Sequence, residues 1–191
     1  MNKIIKNMYL KTIPNLISII RIILIIPVLL LIYDESYDLA LFLFLLAGLS
    51  DALDGYLAKK FDWRTRVGAL LDPVADKLLV AGTFIILTWL GLIPFWLAAI
   101  VVSRDIIIAL GVFIYSFVYE PFHGEATKIS KINTFLEILY VLMVLSYEAF
   151  YWPSGTVIII TGSAVFVTVF ISGLDYIMSW IRRINSQRNI N

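Results

Sequence analysis

The chain has 191 residues, 15 Lys and Arg against 14 Asp and Glu for a formal net charge of +1, and 61% hydrophobic residues. Soluble domains run nearer half apolar, so a mean hydropathy of +0.92 spread along the whole chain describes an integral membrane protein, and the near-neutral charge suggests no nucleic-acid partner. The lack of cysteine excludes disulfides, zinc thiolates and a thiol nucleophile, and the single histidine, His123, excludes a multi-histidine metal site.

A helix needs about 20 apolar residues to span a bilayer. Six segments meet that length, at roughly 13–33, 39–59, 70–90, 95–118, 132–151 and 157–181. The predicted architecture is therefore an all-α membrane domain of six transmembrane helices, a single unit over 1–191 with no internal repeat and no low-complexity segment. The first span is too long, and lacks the small-residue cleavage site, for a removed signal peptide. Short joints with breakers, "DESYD", "GLIP" and "YWPSG", separate the helices on one side. Trp89, Trp96 and Trp152 stand near helix ends, as an interfacial aromatic belt does.

Lysine and arginine set the orientation. With six spans, the amino terminus, the 60–67 and 119–131 loops and the carboxyl terminus share one side. They hold Lys3, Lys6, Lys11, Lys60, Arg64, Arg66, Lys128, Lys131, Arg182, Arg183 and Arg188, with Lys59 at the border. The opposite loops, 34–38, 91–94 and 152–156, hold none. The positive-inside rule puts both termini in the cytoplasm. Charges within the spans then gather toward that side: Arg21 about 10 Å into the first helix at 1.5 Å per residue, Asp51 and Asp54 near the end of the second, Asp72 and Asp76 near the start of the third.

The stretch from Ser50 to Lys77, "SDALDGYLAKKFDWRTRVGALLDPVADK", carries the chemistry. Asp51 and Asp54 are three apart and Asp72 and Asp76 four apart, so each pair shares a helix face. The short connection makes the two helices antiparallel neighbours whose faces can meet. Aspartates at helix ends often only face water or cap a helix, but four at these spacings, with Gly55, Ala58 and Gly68 among them, do not fit that bland account. Four carboxylates in one layer either take up protons or bind cations. With neither cysteine nor a histidine cluster, the matching partner is a hard divalent ion such as Mg2+, which keeps positions open for substrate phosphates. Two cations over four carboxylates nearly balance the charge, and such pairs serve displacement at phosphorus. Missing side chains at Gly55 and Gly68 let a bulky ligand approach the backbone. Lys59, Arg64 and Arg66 could hold phosphates at the mouth.

These residues resemble the CDP-alcohol phosphatidyltransferase family, whose motif reads D-x2-D-G-x2-A-R-x8-G-x3-D-x3-D. Asp51, Asp54, Gly55, Ala58, Gly68, Asp72 and Asp76 match it in register, and one position departs: Lys59 stands where the family has arginine. The charge survives there but the bidentate fork does not. "TIPNLISIIR", "VSRD" and "SKINT" are similar to the family's first-, fourth- and fifth-helix segments. The resemblance implies six transmembrane helices in a homodimer within the cell (inner) membrane, the active site facing the cytoplasm. It implies two Mg2+ or Mn2+ ions on Asp51, Asp54, Asp72 and Asp76, with Asp76 also the base for the acceptor hydroxyl. Gly55, Ala58, Lys59 and Gly68 would line the CDP site. The reaction implied is attack by an alcohol on the lipid-side phosphorus of CDP-diacylglycerol, with CMP leaving.

Two acceptors are in play, phosphatidylglycerol and glycerol 3-phosphate. "SRD" at 103–105 and "SKINT" at 130–134 look more like the branch of the family that uses phosphatidylglycerol. Asn133 stands where the other branch has a second lysine. Arg104 and Lys131 would suffice for a single diester charge, whereas a dianion benefits from more cations. Phosphatidylglycerol is therefore the favoured acceptor, although Asn133 could equally be a polar residue at a helix start with no ligand role. Arg21 either reaches the acceptor, pairs with an aspartate or snorkels. Arg104, an intramembrane charge, is assigned to the acceptor phosphate. Lys77, about 100° around the helix from Asp76, pairs elsewhere or snorkels. Glu137 has no assigned role, Asp175 reads as structural and His123 as solvated. Two other classes compete: a divalent-cation transporter, which would often show internal repeats and midplane sites, and a non-catalytic scaffold, against which the full set of four aspartates argues.

Overall fold

The computed structural model describes the backbone of residues 13–60, 66–118 and 127–188, and the side chains of residues 19–50, 77–111 and 127–179. Among these residues the chain is all helical: α1 (Ile13–Tyr33), α2 (Tyr37–Lys60), α3 (Arg66–Trp89), α4 (Phe95–Val118), α5 (Lys128–Phe150) and α6 (Gly155–Arg188). The elements agree with the six apolar segments but run past them into polar sequence. Helix α5 starts at Lys128 rather than near 132, because Thr127 caps it: its Oγ1 accepts a hydrogen bond from the Ser130 backbone N–H at 3.2 Å. Glu137 consequently lies about two and a half turns inside α5. Helix α6 runs to Arg188 rather than 181, since hydrogen bonding along a helix does not stop where hydropathy falls.

The turns are tight. Between α3 and α4, Gly91 adopts φ +76°, a left-handed conformation that costs glycine nothing and would strain any residue with a Cβ. Tyr151 closes α5 in the left-handed region, its N–H bonded to the Tyr147 carbonyl at 2.8 Å.

Packing closes the helices into a ring in the order α1, α2, α5, α6, α4, α3 and back to α1, with α3 also touching α5 across the middle. Helices α2 and α3, neighbours in sequence, are thus bridged by α1 and α5 among the described residues. Whether the two aspartate pairs face each other directly lies outside those residues. The core between the helices is apolar and fully enclosed, with Val28, Ile32, Phe44, Phe84, Leu87, Val141, Leu145 and Val165 at 2% exposure or less. Close approach is local. A Cβ on Gly82 would lie 3.0 Å from the Leu29 side chain, and one on Gly162 would lie 3.0 Å from the Tyr140 ring.

The outer face is equally apolar. Ile23, Ile26, Phe42, Ile107, Phe135, Ile159 and Leu174 are all more than half exposed. Lys128–Phe150 and Gly155–Ser179 are long and apolar enough to cross a membrane, and only 39% and 22% of their apolar windows are buried. The core helix of a soluble protein would be mostly buried, so this outer face is that of a membrane protein. Trp89, Trp96 and Trp152 are exposed at the end of the bundle where α3 ends, α4 begins and α5 turns into α6, as a belt requires.

The contact at Gly162 supplies a test of this packing. Gly162→Val is expected to force α5 and α6 apart at Tyr140 and to lower stability by about 1–3 kcal/mol. Thermal unfolding in detergent, against an outward-facing control such as Val167→Ala, measures it.

Candidate active site

The motif residues fall on two helices. Asp51, Asp54, Gly55, Ala58 and Lys59 lie in the last turns of α2; Gly68, Asp72 and Asp76 lie in the first turns of α3. The helical backbone preserves the spacings of three and four, so each carboxylate pair occupies one face of its helix. The side chains of these eight residues, and with them the expected metal and CDP sites, lie outside the described residues. Among the described residues no three His, Asp or Glu side chains converge to hold a metal ion.

What the structure describes begins one residue later, at Lys77. Its Nζ lies 2.7 Å from both carboxylate oxygens of Asp105 on α4. The Arg104 guanidinium approaches the same carboxylate, Nη1 donating to Asp105 Oδ1 at 2.7 Å. Arg104 Nη2 donates to Ser130 Oγ on α5 at 2.8 Å and to Ser172 Oγ on α6. One residue pair on α4 thereby ties together α3, α5 and α6. Arg104 is 6% exposed and its Nε has no hydrogen-bond partner among the described residues, so this guanidinium is buried and incompletely satisfied. Ser130 belongs to the capped first turn of α5, so the guanidinium meets the positive end of that helix as well. The anion at this place is the Asp105 carboxylate, bonded to both cations, Lys77 and Arg104.

A second buried network lies one turn further along α5. Asn133 Nδ2 donates to Glu137 Oε1 at 2.6 Å, and Asn133 Oδ1 accepts from Thr168 Oγ1 of α6 at 2.9 Å. Asn133 and Glu137 are both fully buried. Asn133 is thus a polar tie between α5 and α6 and not an open position at a helix start. Glu137, which sequence reasoning left without a role, is its partner, within electrostatic reach of Asp105, Lys77 and Arg104.

The other predicted residues separate. Lys131 follows Ser130 but has an exposed side chain. Arg21 is 1% exposed on α1, which packs against α2 and α3, so it is enclosed in the bundle and does not snorkel. Lys77 pairs with Asp105 on α4, a residue outside the motif, in agreement with the expectation that it pairs elsewhere. His123 lies outside the described residues. Ser172 was missed altogether. A lone serine in an apolar helix has no sequence signal, whereas Ser130 at least stood within the "SKINT" segment.

Comparison with known proteins decides the family. The family model described as CDP-alcohol phosphatidyltransferase matches residues 11–177. The chain belongs to the CDP-alcohol phosphatidyltransferase family. It is similar to the Homo sapiens cardiolipin synthase (CMP-forming), 36% identical over 156 residues, covering 73% of this chain and 52% of the relative. The Bacillus subtilis (strain 168) CDP-diacylglycerol--glycerol-3-phosphate 3-phosphatidyltransferase is 33% identical over 183 residues, covering 85% of this chain and 92% of the relative. The Pseudomonas fluorescens protein of the latter name is 42% identical over 107 residues, about half of each chain. Against the human and rat cardiolipin synthases the chain spans 52% and 60% of the relatives' length. The match encloses both aspartate pairs and the Arg104 cluster, so this phosphatidyltransferase domain carries both on one bundle.

The cluster has a testable energetic signature. Asp105 is the counter-ion of two cations, so Asp105→Asn leaves Arg104 buried without its carboxylate. The expected loss is about 3–5 kcal/mol, the usual cost of breaking a buried pair from one side. Lys77→Met should cost less, because the Lys77 side chain is 39% exposed against 6% for Arg104. Thermal unfolding of the two variants in detergent gives the order.

Proposed function

We propose that this chain is a divalent-metal-dependent phosphatidyltransferase of phospholipid biosynthesis, moving the phosphatidyl group of CDP-diacylglycerol to a glycerol hydroxyl of an acceptor and releasing CMP. The observation that carries it is the register of Asp51, Asp54, Asp72 and Asp76 on two helices of a chain matched by the family model over 167 residues, 11–177.

The donor set suits the metal. Four carboxylates with no sulfur or imidazole among them favour hard ions, so Mg2+ or Mn2+, two ions, is the expected load. When bound, the ions would polarise the pyrophosphate and stabilise the leaving oxygen. The chain's own residues do the rest. Asp76 accepts the proton of the acceptor hydroxyl. The hydroxyl oxygen forms a bond to the phosphorus that bears diacylglycerol, the bond from that phosphorus to the CMP oxygen breaks, and CMP leaves with the electron pair. Gly55, Ala58 and Gly68 leave room for the nucleotide and Lys59 meets its phosphates. Arg104 and Lys131, with Arg21, form the acceptor side.

Six spans with both termini in the cytoplasm fit helices of 21 residues or more, at least about 31 Å each at 1.5 Å per residue, and loops whose basic residues lie on one side. The active site then faces the cytoplasm from the cell (inner) membrane, where a lipid phosphate and a soluble nucleotide can both be reached. A homodimer is part of the same reading.

Phosphatidylglycerol is the favoured acceptor, since the basic residues assigned to it are few and Asn133 is committed to Glu137 and Thr168. Glycerol 3-phosphate is the second reading, favoured by the Bacillus subtilis relative, of which the chain covers 92%.

Purified protein with CDP-diacylglycerol, Mg2+ and either acceptor should release CMP and yield an identifiable lipid product. Chelation should stop the reaction and Mg2+ restore it. Asp72→Asn and Asp76→Asn should each lower CMP release by roughly 10²-fold or more while the protein still folds; near wild-type turnover in either variant at saturating Mg2+ refutes the metal assignment. A cation transporter or a scaffold releases no CMP. In intact cells, an impermeant thiol reagent should label Ser36→Cys and spare Ser186→Cys.

A further inference from the structure

Lys77 is the residue after Asp76 on α3, and its ammonium is held by the neighbouring helix. Nζ lies 2.7 Å from each carboxylate oxygen of Asp105 on α4, a charge-assisted contact to two acceptors at once. Asp105 is itself anchored. Arg104 Nη1 donates to its Oδ1 at 2.7 Å, and Nη2 of the same guanidinium is tied to Ser130 on α5 and to Ser172 on α6. The anchor therefore belongs to three helices, and α3 is fastened to it through Lys77. We propose that Lys77 and Asp105 are positioning residues for the transfer reaction, fixing the rotation of α3 that aims residue 76; the inference rests on the reading of Asp76 as metal ligand and base.

The pair suits alignment better than it suits stability. The Lys77 side chain is 39% exposed, and a partly exposed ion pair adds little to folding. An apolar residue would serve this position in an apolar helix equally well if packing were all that mattered. Further along α3 the core contacts are Val80, Phe84 and Leu87, all buried. Apolar burial is non-directional, so these contacts hold α3 in the bundle without specifying its last few degrees of rotation. Those degrees matter at a reacting group. A side chain tip lies about 5–6 Å from the helix axis, so a rotation of about 10° moves a carboxylate by about 1 Å. Misplacement on that scale can cost about 10²-fold in rate. Lys77 adjoins residue 76 in the same helical turn, so a tie at 77 transmits directly to 76.

Two roles for Lys77 predict opposite signs for metal binding. If its charge alone mattered, removing a cation beside the carboxylates would tighten the binding of a divalent ion. If it aligns Asp76, removing it should weaken that binding. Lys77→Met is expected to lower kcat about tenfold or more at saturating Mg2+, to change the KM for CDP-diacylglycerol less than about twofold, and to weaken Mn2+ binding about threefold or more. Electron paramagnetic resonance of free Mn2+ reads the last without turnover. Lys77→Arg, whose planar fork also reaches both oxygens of a carboxylate, should recover most of the kcat. The chain has no cysteine, so Lys77→Cys carries a single thiol. Alkylation by 2-bromoethylamine rebuilds a side chain of lysine length with its ammonium and should restore kcat and Mn2+ affinity. Iodoacetamide, which leaves an uncharged adduct, should not. That comparison is made within one folded protein and stands if Lys77→Met fails to fold. Two controls separate alignment from general destabilisation. Gly162→Val loosens α5 against α6 at Tyr140. Gly173→Ala lies in the groove between α4 and α6, where an added Cβ meets nothing within 4 Å. Both should keep kcat within about twofold of wild type. The proposal is overturned if folded Lys77→Met keeps near wild-type kcat, if it binds Mn2+ as tightly as wild type or more tightly, if its defect lies in KM with kcat unchanged, if the two thiol adducts behave alike, or if either control lowers kcat as much. No CMP release by the wild type with either acceptor would instead sink the phosphatidyltransferase reading, and the Mn2+ comparison would still decide the alignment.

Discussion

A buried guanidinium organises the half of this bundle that the structure describes in most detail. Arg104 is 94% removed from solvent and must find partners inside, since a buried charge without hydrogen bonds is costly. It finds them on three elements: the carboxylate beside it on α4, a serine on α5 and a serine on α6. The same carboxylate draws in Lys77 from α3. These contacts specify direction and distance in a way apolar packing does not. Leucine side chains tolerate a slide of one helix along another. A guanidinium with fixed donor angles does not, so the relative depth of α3, α4, α5 and α6 is set at this point.

The consequence for the proposed chemistry is a division of labour. Lys77 follows Asp76 by one residue on α3, so the ion pair that locks α3 to α4 lies one helical step from the proposed base. Lys77 is engaged by both oxygens of Asp105. On the other side the capped first turn of α5 delivers Ser130 to Arg104, and Asn133 with Glu137 and Thr168 fixes α5 to α6 one turn deeper. In the proposed reaction the nucleotide lipid is assigned to residues on α2 and α3, and the acceptor to Arg104 on α4, Lys131 on α5 and Arg21 on α1.

Much of the fold and part of the site were legible before any coordinates. Hydropathy marks helices where about 20 apolar residues occur in succession, and all six segments are helical. It missed the helix ends, because the first turns of α5 and the last of α6 are polar and are held by capping and backbone hydrogen bonding. The aspartate motif was legible because its information is one-dimensional: spacings of three and four on a helix place residues on one face whatever surrounds them. Arg104 stood out as a charge in an apolar run. Ser172 did not, since a serine can return its hydroxyl to its own helix and needs no partner. Asn133 was read by comparison, as a place where a cation was absent, whereas its buried amide is a structural tie with both ends occupied.

The sequence by itself therefore determined an all-helical, apolar chain with four carboxylates in register on two helices, because composition and helical period are properties of a single segment. Only the tertiary structure decided that Lys77 serves Asp105, that Arg104 holds α5 and α6 through two serines, that Glu137 belongs to Asn133, and that a groove opens between α4 and α6. Those facts depend on how each helix is rotated and how deep it sits against its neighbours. Rotation and depth are set by packing and by the directional bonds of a few buried polar groups, which bring together residues up to 68 positions apart, as Arg104 and Ser172 are.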